Sequence, residues 1–130
     1  MRFLSTKVHG VIDYVGGVAL ILAPMIFQFQ DVGGMAVALP MILGVGLIIY
    51  SLCTRYELGL VKILPMMYHL IFDFIAAALL TVSPWLFGFY DANHPNQWLP
   101  HVVVGLGVIL VVLVTKTQPA DPALRSVENR

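Results

Sequence analysis

The chain has little charge and almost no cysteine, and both shortages exclude whole classes of protein. Cys53 is the only cysteine in 130 residues, so no intramolecular disulfide and no site built from several thiolates is possible within the chain. Charged side chains make up 11% of it, against roughly 25% in a soluble domain. Seven basic and seven acidic residues cancel, leaving neither the basic footprint of a nucleic-acid binder nor an acidic surface. A nucleophile arranged with a base is also missing, as is a phosphate loop. Gly44-Val45-Gly46 and Gly105-Leu106-Gly107 follow no predicted strand and read as helix-packing positions. An enzyme is therefore not expected.

What the chain has in quantity is apolar residues: 59% of the total, with a mean hydropathy of +0.90. They gather in four blocks, at about 8–27, 35–53, 63–87 and 98–115, each close to the roughly 20 residues that cross a bilayer as a helix. The expected fold class is an all-α membrane protein with four transmembrane helices. Arg2 and Lys7 before the first block resemble the start of a signal peptide. That block is as long as a full span and contains Asp13, so it is read as a permanent helix.

The basic residues orient the spans, because short loops rich in Lys and Arg stay in the cytoplasm. Arg2 and Lys7 precede the first span, Arg55 and Lys62 lie between the second and third, and Lys116, Arg125 and Arg130 follow the fourth. All seven fall on one side, which places both termini in the cytoplasm and the protein in the cytoplasmic (inner) membrane. The other two turns carry Phe27, Phe29, Trp85, Phe87, Phe89, Tyr90 and Trp98, and Trp and Tyr favour the headgroup level. Residues 116–130 form a polar cytoplasmic tail with two prolines, expected to be mobile.

Laying residues 4–40 over 64–100 shows an internal repeat. Leu4/Leu64, His9/His69, Asp13/Asp73, Leu20/Leu80, Pro24/Pro84, Phe27/Phe87, Phe29/Phe89, Asp31/Asp91, Leu39/Leu99 and Pro40/Pro100 are identical, ten pairs where composition alone gives about three. After a one-residue insertion Gly44 and Gly46 meet Gly105 and Gly107, and Thr54-Arg55 meets Thr115-Lys116. The chain thus reads as two tandem helical hairpins, 1–60 and 61–115. Both start on the cytoplasmic side, so they are parallel repeats related by an axis along the membrane normal. The matched positions 9, 13, 20, 24 and 27 lie on one helix face. Gly16 and Gly17, opposite Ala76 and Ala77, share that stripe, which is the expected seam between the hairpins.

"SPWLFGF" at 83–89, its echo "APMIFQF" at 23–29 and the two-helix repeat resemble the SPW-repeat family of small bacterial and archaeal integral membrane proteins. The resemblance covers nearly all of residues 5–115. It implies a fold and a membrane location and brings no activity with it. Ala23 and Met25 replace Ser83 and Trp85 in the first copy, which confines any role of the tryptophan to the second. Pro24 and Pro84, one turn from the outer helix ends, are structural positions where a helix kinks or stops.

The polar exceptions inside the spans are His9, Asp13, His69 and Asp73. Four residues apart on a helix is one face, so each imidazole can meet its own carboxylate. At 1.5 Å per residue Asp13 lies roughly 9 Å inward from Lys7, where an ionised carboxylate is costly. Tyr14, Tyr50, Tyr68, Lys7, Arg55 and Lys62 fall near the same level and are candidates to offset that cost. The first reading of the quartet is a structural clamp between the hairpins, in a membrane subunit or partner-binding protein that forms a homo-oligomer or joins a larger complex. The alternatives are a ligand site, in which His9 and His69 hold haem iron or all four residues hold a divalent metal, and a proton or ion relay. His94 and His101 have no partners in the first copy and read as loop and interface residues.

Overall fold

In the computed structural model, residues 1–128 are described, and every span forms a helix. They are α1 (Thr6–Ile26), α2 (Gly34–Leu52), α3 (Met66–Leu86) and α4 (Pro95–Val114), followed by a short α5 (Pro122–Glu128). All four long helices are long and apolar enough to cross a membrane. Val15, Ile42, Val103 and Leu110 are among the large apolar side chains on their outer surface, as expected for a bundle whose solvent is lipid rather than water. Arg130, counted above among the cytoplasmic cations, lies outside the described residues.

Local chemistry sets the boundaries. Ser5 caps α1 by accepting from the Val8 N–H. Residues 63–65, expected inside the third span, are extended instead. Leu64 precedes Pro65, which disfavours helix, and its N–H bonds the Cys53 carbonyl. Pro95 occupies the first turn of α4, where no intrahelical donor is missed. After α1 and α3 the chain turns through a left-handed residue, Gln28 (φ 56°) in the first copy and Gly88 (φ 71°) in the second.

Two isolated parallel bridges reveal how the halves are related: Leu4 pairs with Thr115, and Leu64 with Thr54. Under the repeat, Leu4 corresponds to Leu64 and Thr54 to Thr115, so each half begins against the end of the other. That reciprocity brings the starts of α1 and α3 to one end of the bundle, together with residues 1–5 and 116–121.

Small residues do not sit where the sequence reading put them. Gly17 packs on Gly44 of α2, where a Cβ on Gly44 would lie 2.6 Å from the Gly17 carbonyl oxygen. The repeat-equivalent Gly105 is backed by Thr81 and the Ala77 carbonyl. These close approaches lie within each hairpin, not between hairpins, and Gly16 has nothing within 4 Å. The glycine stripe as hairpin seam is therefore corrected. The seam is built from larger side chains, with Leu20, Leu39 and Leu80 packed together below the polar quartet.

The tail also differs from expectation. Lys116 N–H bonds the Leu4 carbonyl, Pro119 is buried, and the Ala120 N–H donates to Glu57 at 2.8 Å. Residues 116–121 fold back on the bundle because Glu57, which also accepts from Thr6 at 2.6 Å, gives them an anchor.

Candidate functional site

His9 and Asp13 share one face of α1, and His69 and Asp73 the matching face of α3, as their spacing requires. The structure keeps these pairs and also crosses them. His9 Nε2 lies 3.2 Å from Asp13 Oδ1 and 3.0 Å from Asp73 Oδ2. His69 Nε2 lies 3.1 Å from Asp13 Oδ2 and 3.1 Å from Asp73 Oδ2. Two self-partnered pairs thereby become one cluster, in which all four residues are buried. The imidazoles meet edge to face with centroids 5.4 Å apart.

The far side of each ring is held by a threonine from the other hairpin. His9 Nδ1 is 2.9 Å from Thr115 Oγ1, and His69 Nδ1 is 2.8 Å from Thr54 Oγ1. Each hydroxyl has one proton and donates it to its own helix, to the Val111 carbonyl at 2.6 Å and the Tyr50 carbonyl at 2.7 Å. The threonine oxygens can then only accept, so both Nδ1 atoms carry hydrogen. Both Nε2 atoms are consequently left to the carboxylates. An imidazole lone pair facing a carboxylate at these distances needs a proton or a cation between them.

Tyrosines complete the cluster. Tyr50 donates to Asp73 Oδ1, as its level in the sequence suggested. Tyr56 donates to Asp13 Oδ2 at 3.3 Å and was not foreseen, because it lies in an irregular loop with no periodicity to read. It reaches the cluster by stacking over Gly10, where a Cβ would come 2.5 Å from its ring. Burial, and then the neighbouring Asp13, push its hydroxyl above the usual phenol range, so it stays a donor. The other expected contributors point elsewhere. Tyr14 donates to the Leu58 carbonyl, Tyr68 is exposed, and Arg55 Nε donates to the Lys62 carbonyl. Among the described residues no Lys or Arg lies within ion-pair distance of Asp13 or Asp73.

The haem reading of His9 and His69 does not survive this geometry. The carboxylates of Asp13 and Asp73 crowd both Nε2 atoms at 3.0 to 3.2 Å, and the cavity bordering Tyr50 and Asp73 is about 30 Å³. A macrocycle has no slot there. A single ion is a different matter, since one ligand atom from each of the four residues lies within 4.8 Å of all the others.

At the opposite end of the bundle the repeat motif has a local task. Pro84 cannot donate to the Leu80 carbonyl, one turn back, and Ser83 Oγ takes over that acceptor at 2.7 Å. Ala23 gives Pro24 no such help. Trp85 is exposed and stacks on Tyr90 at 5.5 Å. His101 repeats the serine's logic across the seam: Pro40 leaves the Ala36 carbonyl without its helical donor, and His101 Nε2 donates to it at 2.9 Å. Its ring is buried between Phe29 and Phe89. His94 instead is exposed and pairs with Asp91 at 2.7 Å.

Comparison with known proteins matches residues 7–115 to the SPW repeat domain. No curated protein and no solved structure matches the chain.

Proposed function

The chain belongs to the SPW repeat domain family, and from that premise we propose that it is a non-enzymatic subunit of the cytoplasmic membrane whose two hairpins are clamped by the His9–Asp13–His69–Asp73 cluster. One observation carries the reading: every imidazole contacts the carboxylate of the opposite hairpin as well as its own. With one proton shared between each imidazole Nε2 and a carboxylate, the cluster sums to no net charge wherever those protons sit, which lessens the penalty of burying it. The reciprocal threonine contacts add two more bonds between the halves. A clamp of this kind fixes the angle between hairpins and so presents a constant outer surface to lipid, to a second copy or to a larger membrane complex.

The distribution of Lys and Arg supports placing both termini in the cytoplasm. In a Cys53→Ser background, a cysteine replacing Asn93 reacts with a membrane-impermeant thiol reagent added outside intact cells, and one replacing Gln118 does not. The opposite labelling would reverse the orientation. The clamp itself is tested by a double-mutant cycle of His9→Gln and Asp73→Asn on unfolding in detergent. The expected coupling is about 1–2 kcal/mol. Additivity within about 0.5 kcal/mol would remove the clamp.

A further inference from the structure

We infer that Nε2 of His9 and His69 and one carboxylate oxygen each of Asp13 and Asp73 form a binding site for a single divalent first-row transition metal ion, of which zinc is the reference case. This deepens the clamp reading, from which it takes only the convergence of the four side chains.

Size is the first argument. Bonds of about 2.0–2.1 Å in a tetrahedron put neighbouring ligand atoms roughly 3.3–3.4 Å apart. With Oδ2 of both aspartates as the oxygens, three nitrogen–oxygen separations are 3.0 to 3.1 Å, and His9 meets Asp13 through its other oxygen at 3.2 Å. One ligand atom from each residue lies within 4.8 Å of the others, so an ion requires the close pairs to spread by a few tenths of an ångström and the wider ones to close by at most about 1.5 Å. Direction is the second. His69 Nε2 is buried and close to both carboxylates, yet neither oxygen lies along its N–H direction, and among the described residues it makes no aligned hydrogen bond. A metal ion bonds along the ring-nitrogen lone pair and gathers both oxygens around itself, which supplies that atom with the partner it lacks.

The surroundings are those of a metal centre. The threonine hydroxyls hold hydrogen on both Nδ1 atoms, which leaves the Nε2 lone pairs for the ion. Tyr50 and Tyr56 bond the carboxylates and fix their orientation. Charge agrees as well, since a dication with two carboxylates and two neutral imidazoles is neutral inside the bilayer. The ligand set selects the ion. Two imidazoles disfavour calcium and magnesium, which take oxygen, and no thiolate is present to favour copper(I). Four protein ligands close the coordination sphere, which suits an ion that is held rather than one that activates water.

The test uses the tagless full-length protein in detergent, stripped with a chelator and titrated with zinc by calorimetry and with cobalt(II) by visible absorption. One ion per chain and the d–d bands of tetrahedral cobalt are expected. Asp13→Asn, Asp73→Asn and His69→Gln each lower zinc affinity at least a hundredfold, and Thr54→Val, which touches the ring but not the ion, lowers it about tenfold. His94→Ala, in the exposed Asp91 pair, changes nothing. Circular dichroism of each variant verifies the fold, and Thr54→Val serves where a ligand variant does not fold. No binding by the wild type, binding that survives the Asp variants, or binding that is lost with His94→Ala would each overturn the proposal. Running the His9–Asp73 cycle with chelator present separates the two readings. Coupling without metal binding keeps the clamp and removes the metal site, whereas metal binding without coupling does the reverse.

Discussion

At the scale of single residues, a few side chains answer for backbone groups that proline disables. Ser83 bonds the Leu80 carbonyl that Pro84 leaves unmet, so Ser83→Ala leaves a buried acceptor without a partner. The expected loss is about 1 kcal/mol of stability, read as a lower melting temperature in detergent. Glu57 is a second case, in the loop between α2 and α3. Burial pushes its carboxyl up, but bonds from Thr6 and from backbone N–H groups, Ala120 among them, outweigh this and hold it below the usual carboxylate range. A depressed folded-state value contributes stability that is complete above the unfolded value of about 4 and is lost as pH falls through the folded one. Exchange of the Ala120 amide hydrogen is accordingly predicted to accelerate in acid relative to amides in α1. Glu57→Gln should remove that pH dependence.

At the scale of elements, each hairpin is held by a close contact between its own two helices. A Cβ on Gly44 meets the Gly17 carbonyl and the Leu20 side chain, whereas one on Gly46 meets nothing within 4 Å. Gly44→Ala forces α1 and α2 apart and is expected to cost about 1–3 kcal/mol, the range for overpacking. Gly46→Ala is expected to be neutral or slightly stabilising through helix propensity. Equal effects of the two substitutions on thermal unfolding would contradict this packing. The element scale also explains why the sequence misassigned the glycine stripe. Periodicity says that Gly17 shares a face with His9 and Asp13, but it does not say which neighbouring helix that face meets.

At the scale of the whole molecule, the hairpins are joined by polar contacts near both ends of the bundle, with leucines between. The quartet secures the end where α1 and α3 begin, and His101 secures the other by donating to Ala36. Because the two contacts share no residues, His9→Ala and His101→Ala should add within about 0.5 kcal/mol. Equilibrium unfolding of the two single variants and the double variant measures this. A large coupling would mean that the hairpins separate as rigid units hinged at one contact.

Composition and period alone determined the four helices, the duplication and the identity of the buried quartet. Uninterrupted apolar runs have few other stable forms in a bilayer, and identical polar residues at matched positions are hard to place except on matched faces. Which groups meet was decided only by tertiary structure. That His9 reaches Asp73, that Thr115 and Thr54 fix the opposite imidazoles, and that Tyr56 enters from a loop all depend on the crossed arrangement in which each half begins against the end of the other. Helical periodicity operates within about one turn, whereas these partners are separated by 15 to 106 residues and are brought together by packing.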